Sequence, residues 1–252
     1  MNFSRRSYEK ELLDRDDLAF DDIRQNMQEL DFINTYLGGH KITIDGLKEL
    51  VKATEQSGSR EWVICEVGCG GGDNLAAIAR WCKTRRLRAS FIGIDINPYC
   101  IEVAAGKLTA LSVKLICSDY ALTNFNGIKP DFVFTSLFCH HFTDGQLVDM
   151  LQWMQRNSRE GFFINDLHRH PLAYYSIKIL TRLFSASYLV KNDAPLSVRR
   201  GFTAKEWKVL LESAGISRFR VSWKWAFRHL VVVRNASPQT GSVLLNEVIL
   251  QA

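Results

Sequence analysis

The segment Trp62-Val63-Ile64-Cys65-Glu66-Val67-Gly68-Cys69-Gly70-Gly71-Gly72-Asp73 constrains this chain more than any other stretch. Val63 to Val67 is mostly apolar and β-branched, as a parallel strand buried on both faces should be. Gly68, Gly70 and Gly72 then alternate. A side chain there would keep a ligand away from the main chain, and glycine also accepts positive φ. A helix follows. Asp73 or Asn74 can cap it, and Leu75, Ile78, Ala79 and Cys82 recur at i, i+3, i+4 and i+7. Strand, glycine turn and helix together make a nucleotide-type site at the carboxyl end of a sheet.

Four more strands are predicted in register. Ala89 to Asp95 ends in an acid about twenty residues past the glycines, where a carboxylate can accept from both ribose hydroxyls. Asn97 caps the next helix and Pro98 suits its first position. Val113 to Tyr120 is a third strand ending in Ser118-Asp119. Asp131 starts a fourth strand, and Ser136-Leu137-Phe138-Cys139-His140-His141-Phe142 lies at its carboxyl end. Gly161 to Pro171 is a fifth strand ending in a polar cluster with Asp166, His168 and His170. Thr143 with Gln146, and Thr203 with Glu206, form capping boxes. Phe219, Val221, Trp223 and Trp225 alternate with polar residues as a half-buried strand, and Leu230 to Val233 is its hairpin partner.

The spacing at the glycines decides the ligand class. A dinucleotide fingerprint needs a small residue at position 73, where this chain has Asp73. Glu66 also lies two residues before the first glycine. This pattern resembles motif I of the class I S-adenosylmethionine (SAM) methyltransferases, and the likeness runs over roughly residues 60 to 235. It implies a doubly wound α/β fold with a seven-stranded, mostly parallel sheet and an antiparallel C-terminal hairpin. It implies SAM as cofactor and S-adenosylhomocysteine (SAH) as product. The cofactor site would draw on Glu66, Gly68, Cys69, Gly70, Gly72, Asn74, Asp95, Ile96, Asn97, Ser118, Asp119, Tyr120 and Ser136. In that family the strand-end acid binds ribose, and an acid at Asp119 accepts from the adenine amino group. SLFCHHF (136–142) is similar to a motif of quinone-pathway and related bacterial small-molecule methyltransferases.

Residues 5 to 36 read as helical on a stripe from Leu12 to Leu37, stopped by Gly38-Gly39. A second helix is expected at about 43–56. Residues 1–56 thus form a helical extension, 57–235 the SAM-binding domain and 236–252 a tail of undecided structure. The family commonly inserts a helical lid after the fifth strand, and Leu172 to Tyr188 is apolar and aromatic enough to be one, within about 168–200. Asp193 to Gly201 is expected as a loop placing Arg199 and Arg200 near the site or in solvent.

The sulfonium methyl is already activated, so catalysis needs alignment and exclusion of water. A hydroxyl acceptor gains from a base near neutral pKa, and His168, His141 and His140 are the candidates. His140 and His141 are adjacent, so at most one is expected to enter the pocket. No metal site is expected: Asp166, His168 and His170 cluster, but Pro171 indicates that the strand has ended. The acceptor is expected to be a small aromatic or lipophilic molecule, methylated on oxygen. A C-methylating quinone-type enzyme and a non-catalytic SAM-binding protein are the alternatives.

The 252 residues, 46% hydrophobic and 23% charged, fit one α/β domain with additions. Six dispersed cysteines without CxxC spacing read as reduced, buried thiols. No apolar run is long enough to span a bilayer and the N-terminus has no apolar core, so a cytoplasmic location is expected. The net charge of +5 is scattered. KTRRLR (83–88) reads as the solvated end of a helix, and no nucleic-acid partner is expected. Oligomeric state is left open.

Overall fold

The computed structural model describes residues 2–15, 17–52 and 60–235. The expected tail and the boundary near residue 56 lie outside these residues. The strands are β1 (Trp62–Val67), β2 (Ala89–Asp95), β3 (Val113–Cys117), β4 (Phe132–Ser136), β5 (Gly161–Leu167), β6 (Phe219–Lys224) and β7 (Arg228–Arg234). They form one sheet in the order β3-β2-β1-β4-β5-β7-β6. The first five are parallel, and β7 runs antiparallel between β5 and β6. The expected sheet is therefore present, hairpin included. The strand order reverses between β1 and β4, so the glycine turn opens at the topological switch point.

The helices are α1 (Phe20–Tyr36), α2 (Gly39–Val51), α3 (Asp73–Thr84), α4 (Pro98–Lys107), α5 (Asp144–Asn157), α6 (Pro171–Phe184), α7 (Tyr188–Arg200) and α8 (Ala204–Ser213). Alternation along the strands feeds two cores. Cys65, Val67, Val133, Phe162 and Ile164 meet Leu147, Met150 and Leu151 of α5 and Trp207 and Leu211 of α8. Ile64, Phe132, Phe134 and Phe163 meet Leu47 of α2 and Leu75 and Ile78 of α3 on the other face. Both expected capping boxes form, and Asn97 caps α4 with Pro98 at its first turn.

Three local expectations are corrected. Most of residues 5–15 and 17–19 is not helical. Apart from a turn at Leu12–Asp14, it is an extended strap, because its amides bond to α7: Ser7 N–H to the Arg199 carbonyl at 3.0 Å, and Leu12 and Leu13 N–H to the Asp193 carboxylate at 2.8 and 2.9 Å. Gly38 stops α1 but also caps α2 (φ 75°), so α2 starts at Gly39 rather than near 43. Asp193 to Arg200 is helix, not loop, with Pro195 inside it; buried Leu189, Val190 and Val198 hold α7 despite the missing donor. The lid segment is two helices joined by a tight turn, whose Ala186 and Ser187 amides donate to Glu29 at 3.0 and 2.9 Å.

The outer face of α6 also differs from a plain core helix. Leu172, Tyr175, Ile179, Leu183 and Phe184 are all exposed. Among the described residues, no helix is long and apolar enough to cross a membrane.

Candidate active site

β1 delivers Glu66 to the carboxyl end of the sheet, buried to 1% exposure. Its Oε1 accepts from Asn74 Nδ2 at 2.9 Å, while Oε2 accepts nothing among the described residues. Burial pushes this carboxyl well above its ordinary range. Asn74 therefore orients Glu66 and does not cap α3. Asp73 does not cap it either, since it pairs with Lys107. The cap is Gly72, whose φ of 77° no β-branched residue would accept. Asn74 Oδ1 is held by His40 Nδ1 at 2.9 Å, and His40 Nε2 meets Asp31 at 3.0 Å. His40 and Asp31 escaped sequence reasoning, because nothing local marks them as partners of Asn74.

Asp95 ends β2 with its carboxylate aimed at the glycine turn. Oδ2 accepts from Gly70 N–H and Oδ1 from Asn97 N–H, both at 2.9 Å. Burial raises its pKa, although those two amides and the charge of nearby His141 pull the other way. Ile96 stands exposed beside it. Asp119 caps a short turn at Tyr120–Leu122 through Ala121 N–H, and Ser118 Oγ donates to the Asp119 carbonyl at 3.0 Å. Tyr120 packs edge-on against Trp153, with ring centroids 5.2 Å apart, and burial pushes its phenol up to about 12. Ser136 Oγ accepts from Asn165 at 3.2 Å, and Cys69 is buried.

The turn is not bare. A Cβ on Gly68 would lie 2.3 Å from Phe138, and one on Gly70 would lie 3.2 Å from Met27 Sδ. Phe138 and α1 cover the turn because Leu18, Ile23 and Met27 form their own small cluster with Cys100 and Leu189.

The rings of His140 and His141 lie 4.5 Å apart, and both face the strap. His140 Nδ1 is 2.8 Å from Asp166, and His141 Nδ1 is 3.1 Å from Asp14. Burial works against charging His140, but Asp166 and Glu11 outweigh it and carry its pKa to about 9. Arg200 is buried and its Nε donates to the His140 carbonyl at 3.0 Å, whereas Arg199 pairs with Glu9. His168 lies apart, against His170, His229 and Phe227. Its Nδ1 is buried without a partner among the described residues, and burial with the charges of His170 and Arg169 lowers its pKa. Asp166 turns to His140, away from His168 and His170, so those three do not make a metal set. Among the described residues, the set with mutually close ligand atoms is Glu11, His140 and His141.

Residues 64–161 match the family described as "Methyltransferase domain". That stretch reads as a methyltransferase domain, set in a sheet of class I methyltransferase-like topology. Solved methyltransferases share its fold. The plantazolicin methyltransferase BpumL in complex with SAH is 16% identical with a TM-score of 0.63, over 86% of this chain and 95% of that one. Human N-acetylserotonin methyltransferase with SAM is 18% identical with a TM-score of 0.60, over 86% and 56%. Magnesium protoporphyrin IX methyltransferase from Synechocystis PCC 6803 with SAM is 14% identical with a TM-score of 0.53, over 81% and 82%. No curated protein matches the chain. In this methyltransferase domain the glycine turn, Glu66 and Asp95 all sit at the switch point of the sheet.

Proposed function

We propose that this protein transfers the methyl group of SAM to a hydroxyl of a small aromatic or lipophilic acceptor. The observation that carries the reading is the pairing of two carboxylates across the glycine turn. Glu66 keeps one buried oxygen without a hydrogen bond, which suits the cofactor's amino group. Asp95, fixed by Gly70 and Asn97, suits the ribose hydroxyls. An orphaned buried acceptor is costly unless a donor arrives, so the residues fit the cofactor. Bound SAM supplies an electrophilic methyl. The chain's part is to align the acceptor and keep water out, with α1, Phe138 and the α6–α7 pair as the cover.

His168 is the base in this reading. Its lowered pKa leaves the ring neutral at pH 7, and Nδ1 is not spent on a partner. His140 and His141 are both held by carboxylates instead. The named relatives act on a peptide natural product, a porphyrin and an N-acetylated indoleamine, which supports a small-molecule acceptor. Calorimetry should show SAH binding and no NAD binding. A labelled-methyl screen over phenols, quinols and carboxylates should give an O-methylated product. His168→Ala should cut turnover at neutral pH about 100-fold with SAH affinity kept. Tight NAD binding without SAH binding would overturn the reading, and unchanged turnover in His168→Ala would remove that residue.

A further inference from the structure

We propose that Glu11, His140 and His141 form a site for one divalent transition-metal ion of the zinc type, joining the N-terminal strap to the loop after β4. His140 Nε2 lies 3.5 Å from Glu11 Oε1, and His141 Nε2 lies 3.8 Å from Glu11 Oε2. Both gaps exceed a well-formed hydrogen bond, which spans about 2.7–3.2 Å. They suit neighbouring ligands of one tetrahedral ion, since bonds of about 2.0–2.2 Å place such atoms roughly 3.4 Å apart. All three ligand atoms lie within 4.8 Å of one another.

The far side of each ring supports the assignment. His140 Nδ1 is 2.8 Å from Asp166 and His141 Nδ1 is 3.1 Å from Asp14. In a metal-bound imidazole a carboxylate at that position holds the proton on Nδ1 while Nε2 faces the ion. Here it occurs twice, with both Nε2 atoms turned to the same carboxylate. Ser197 Oγ donates to Glu11 Oε1 at 2.7 Å and steadies it.

Charge points the same way. Glu11, Asp14 and Asp166 bring three negative charges. Arg200 Nη1 lies 3.8 Å from Glu11 and 3.5 Å from Asp14 and offsets one of them, while its hydrogen bonds go to the carbonyls of Glu9 and His140. Arg6 is balanced by Asp144 at 2.6 Å. Set against Arg200, the three carboxylates around the two rings favour a cation between them. Two nitrogens and one oxygen select zinc-type ions over magnesium or calcium, which take oxygen ligands. Glu11 and His140 are 5% and 3% exposed, whereas His141 is at 20%, so the fourth position opens on the His141 side. Such an ion would tie residue 11 to residue 140, and its binding energy would add to folding. The inference is independent of the acceptor and of the reaction.

The full chain, stripped with a chelator, is titrated with Zn²⁺ against a chromophoric competitor and with Co²⁺ by visible absorption. One ion per chain is expected, with Co²⁺ bands of tetrahedral intensity and a Tm that rises with Zn²⁺. Glu11→Gln and His141→Ala should each weaken binding at least about 100-fold and abolish the Tm shift. Asp14→Asn should weaken it about 10–100-fold, as loss of an orienting carboxylate does. X-ray absorption of the zinc-loaded wild type should show imidazole nitrogen and carboxylate oxygen at about 2.0–2.1 Å. That measurement stays decisive if a variant does not fold. A sulfur shell, binding that survives both ligand substitutions, or no stoichiometric binding would overturn the site. The last result would leave a protonated imidazole bridging carboxylates.

Discussion

Glu66 has one carboxylate oxygen on Asn74 and, among the described residues, the other on nothing, in a position 1% exposed. Folding bears the cost of burying that group, and the cofactor would recover it. Glu66→Gln therefore separates binding from stability. The amide oxygen can still face Asn74, and no charge is buried. Thermal unfolding should show Tm kept or raised, while calorimetry should show SAH affinity about 10–100-fold weaker, the worth of a charged hydrogen bond. If both fell together, the residue would be structural. His229 makes the complementary case for pH. It is 3% exposed, and burial together with the charge of His168 pushes its pKa down to about 4 from 6.5. The fold thus favours the neutral ring. Its contribution is full above pH 6.5 and is lost as pH falls through about 4. His229→Leu should remove roughly 2–3 kcal/mol of the acid destabilisation between about pH 7.5 and 4.5, by urea unfolding at both values.

α2 shows how an element is set by its neighbour and not by propensity. Gly46 sits in mid-helix, where Ala would gain about 1 kcal/mol. A Cβ there would meet Phe163 Cδ2 at 2.5 Å, and Phe163 is fully buried and stacked on Phe134 at 4.9 Å. Overpacking of that kind costs about 1–3 kcal/mol, so Gly46→Ala should lower stability by about 1 kcal/mol in urea titration. α6 is the opposite case. Ile179 and Leu183 are 59% and 69% exposed, so Ile179→Ser should change stability by no more than about 0.5 kcal/mol. The strands, both capping boxes and the Asn97-Pro98 helix start were legible because each is written within a few neighbouring residues. The strap, α7 and the paired histidines were not. Asp193 takes the amides of Leu12 and Leu13, 181 and 180 positions away, and no local period records that contact. The same distance hid Glu11 as the partner of His140 and His141. The exposure of α6's outer face was not legible either, since apolar composition alone does not say what a helix touches.

At the scale of the molecule, two unequal bodies meet over the glycine turn. The sheet has a continuous core on each face, whereas the cover rests on a separate small cluster of Leu18, Ile23, Met27, Cys100 and Leu189. Polar ties supplement it: Glu29 on the α6–α7 turn, Asp31 on His40 and Lys107, and Arg6 on the carbonyls of Arg200 and Phe142. Opening free energy follows buried apolar area and tertiary ties, so the cover should open well below the energy that unfolds the sheet. Met27 and Phe138 stand where a ligand would approach the turn, so SAH can enter only as that cover yields. Binding should then stabilise the cover more than the sheet. Native-state hydrogen exchange tests this directly. In the ligand-free protein, amides of α1 should exchange through an opening several kcal/mol below global unfolding, while those of β1, β4 and β5 exchange only with it. Saturating SAH should slow the α1 amides at least about tenfold more than the β4 amides. Equal opening energies for α1 and β4 without ligand would mean that strap, cover and sheet unfold as one unit, and that Met27 is simply part of the core.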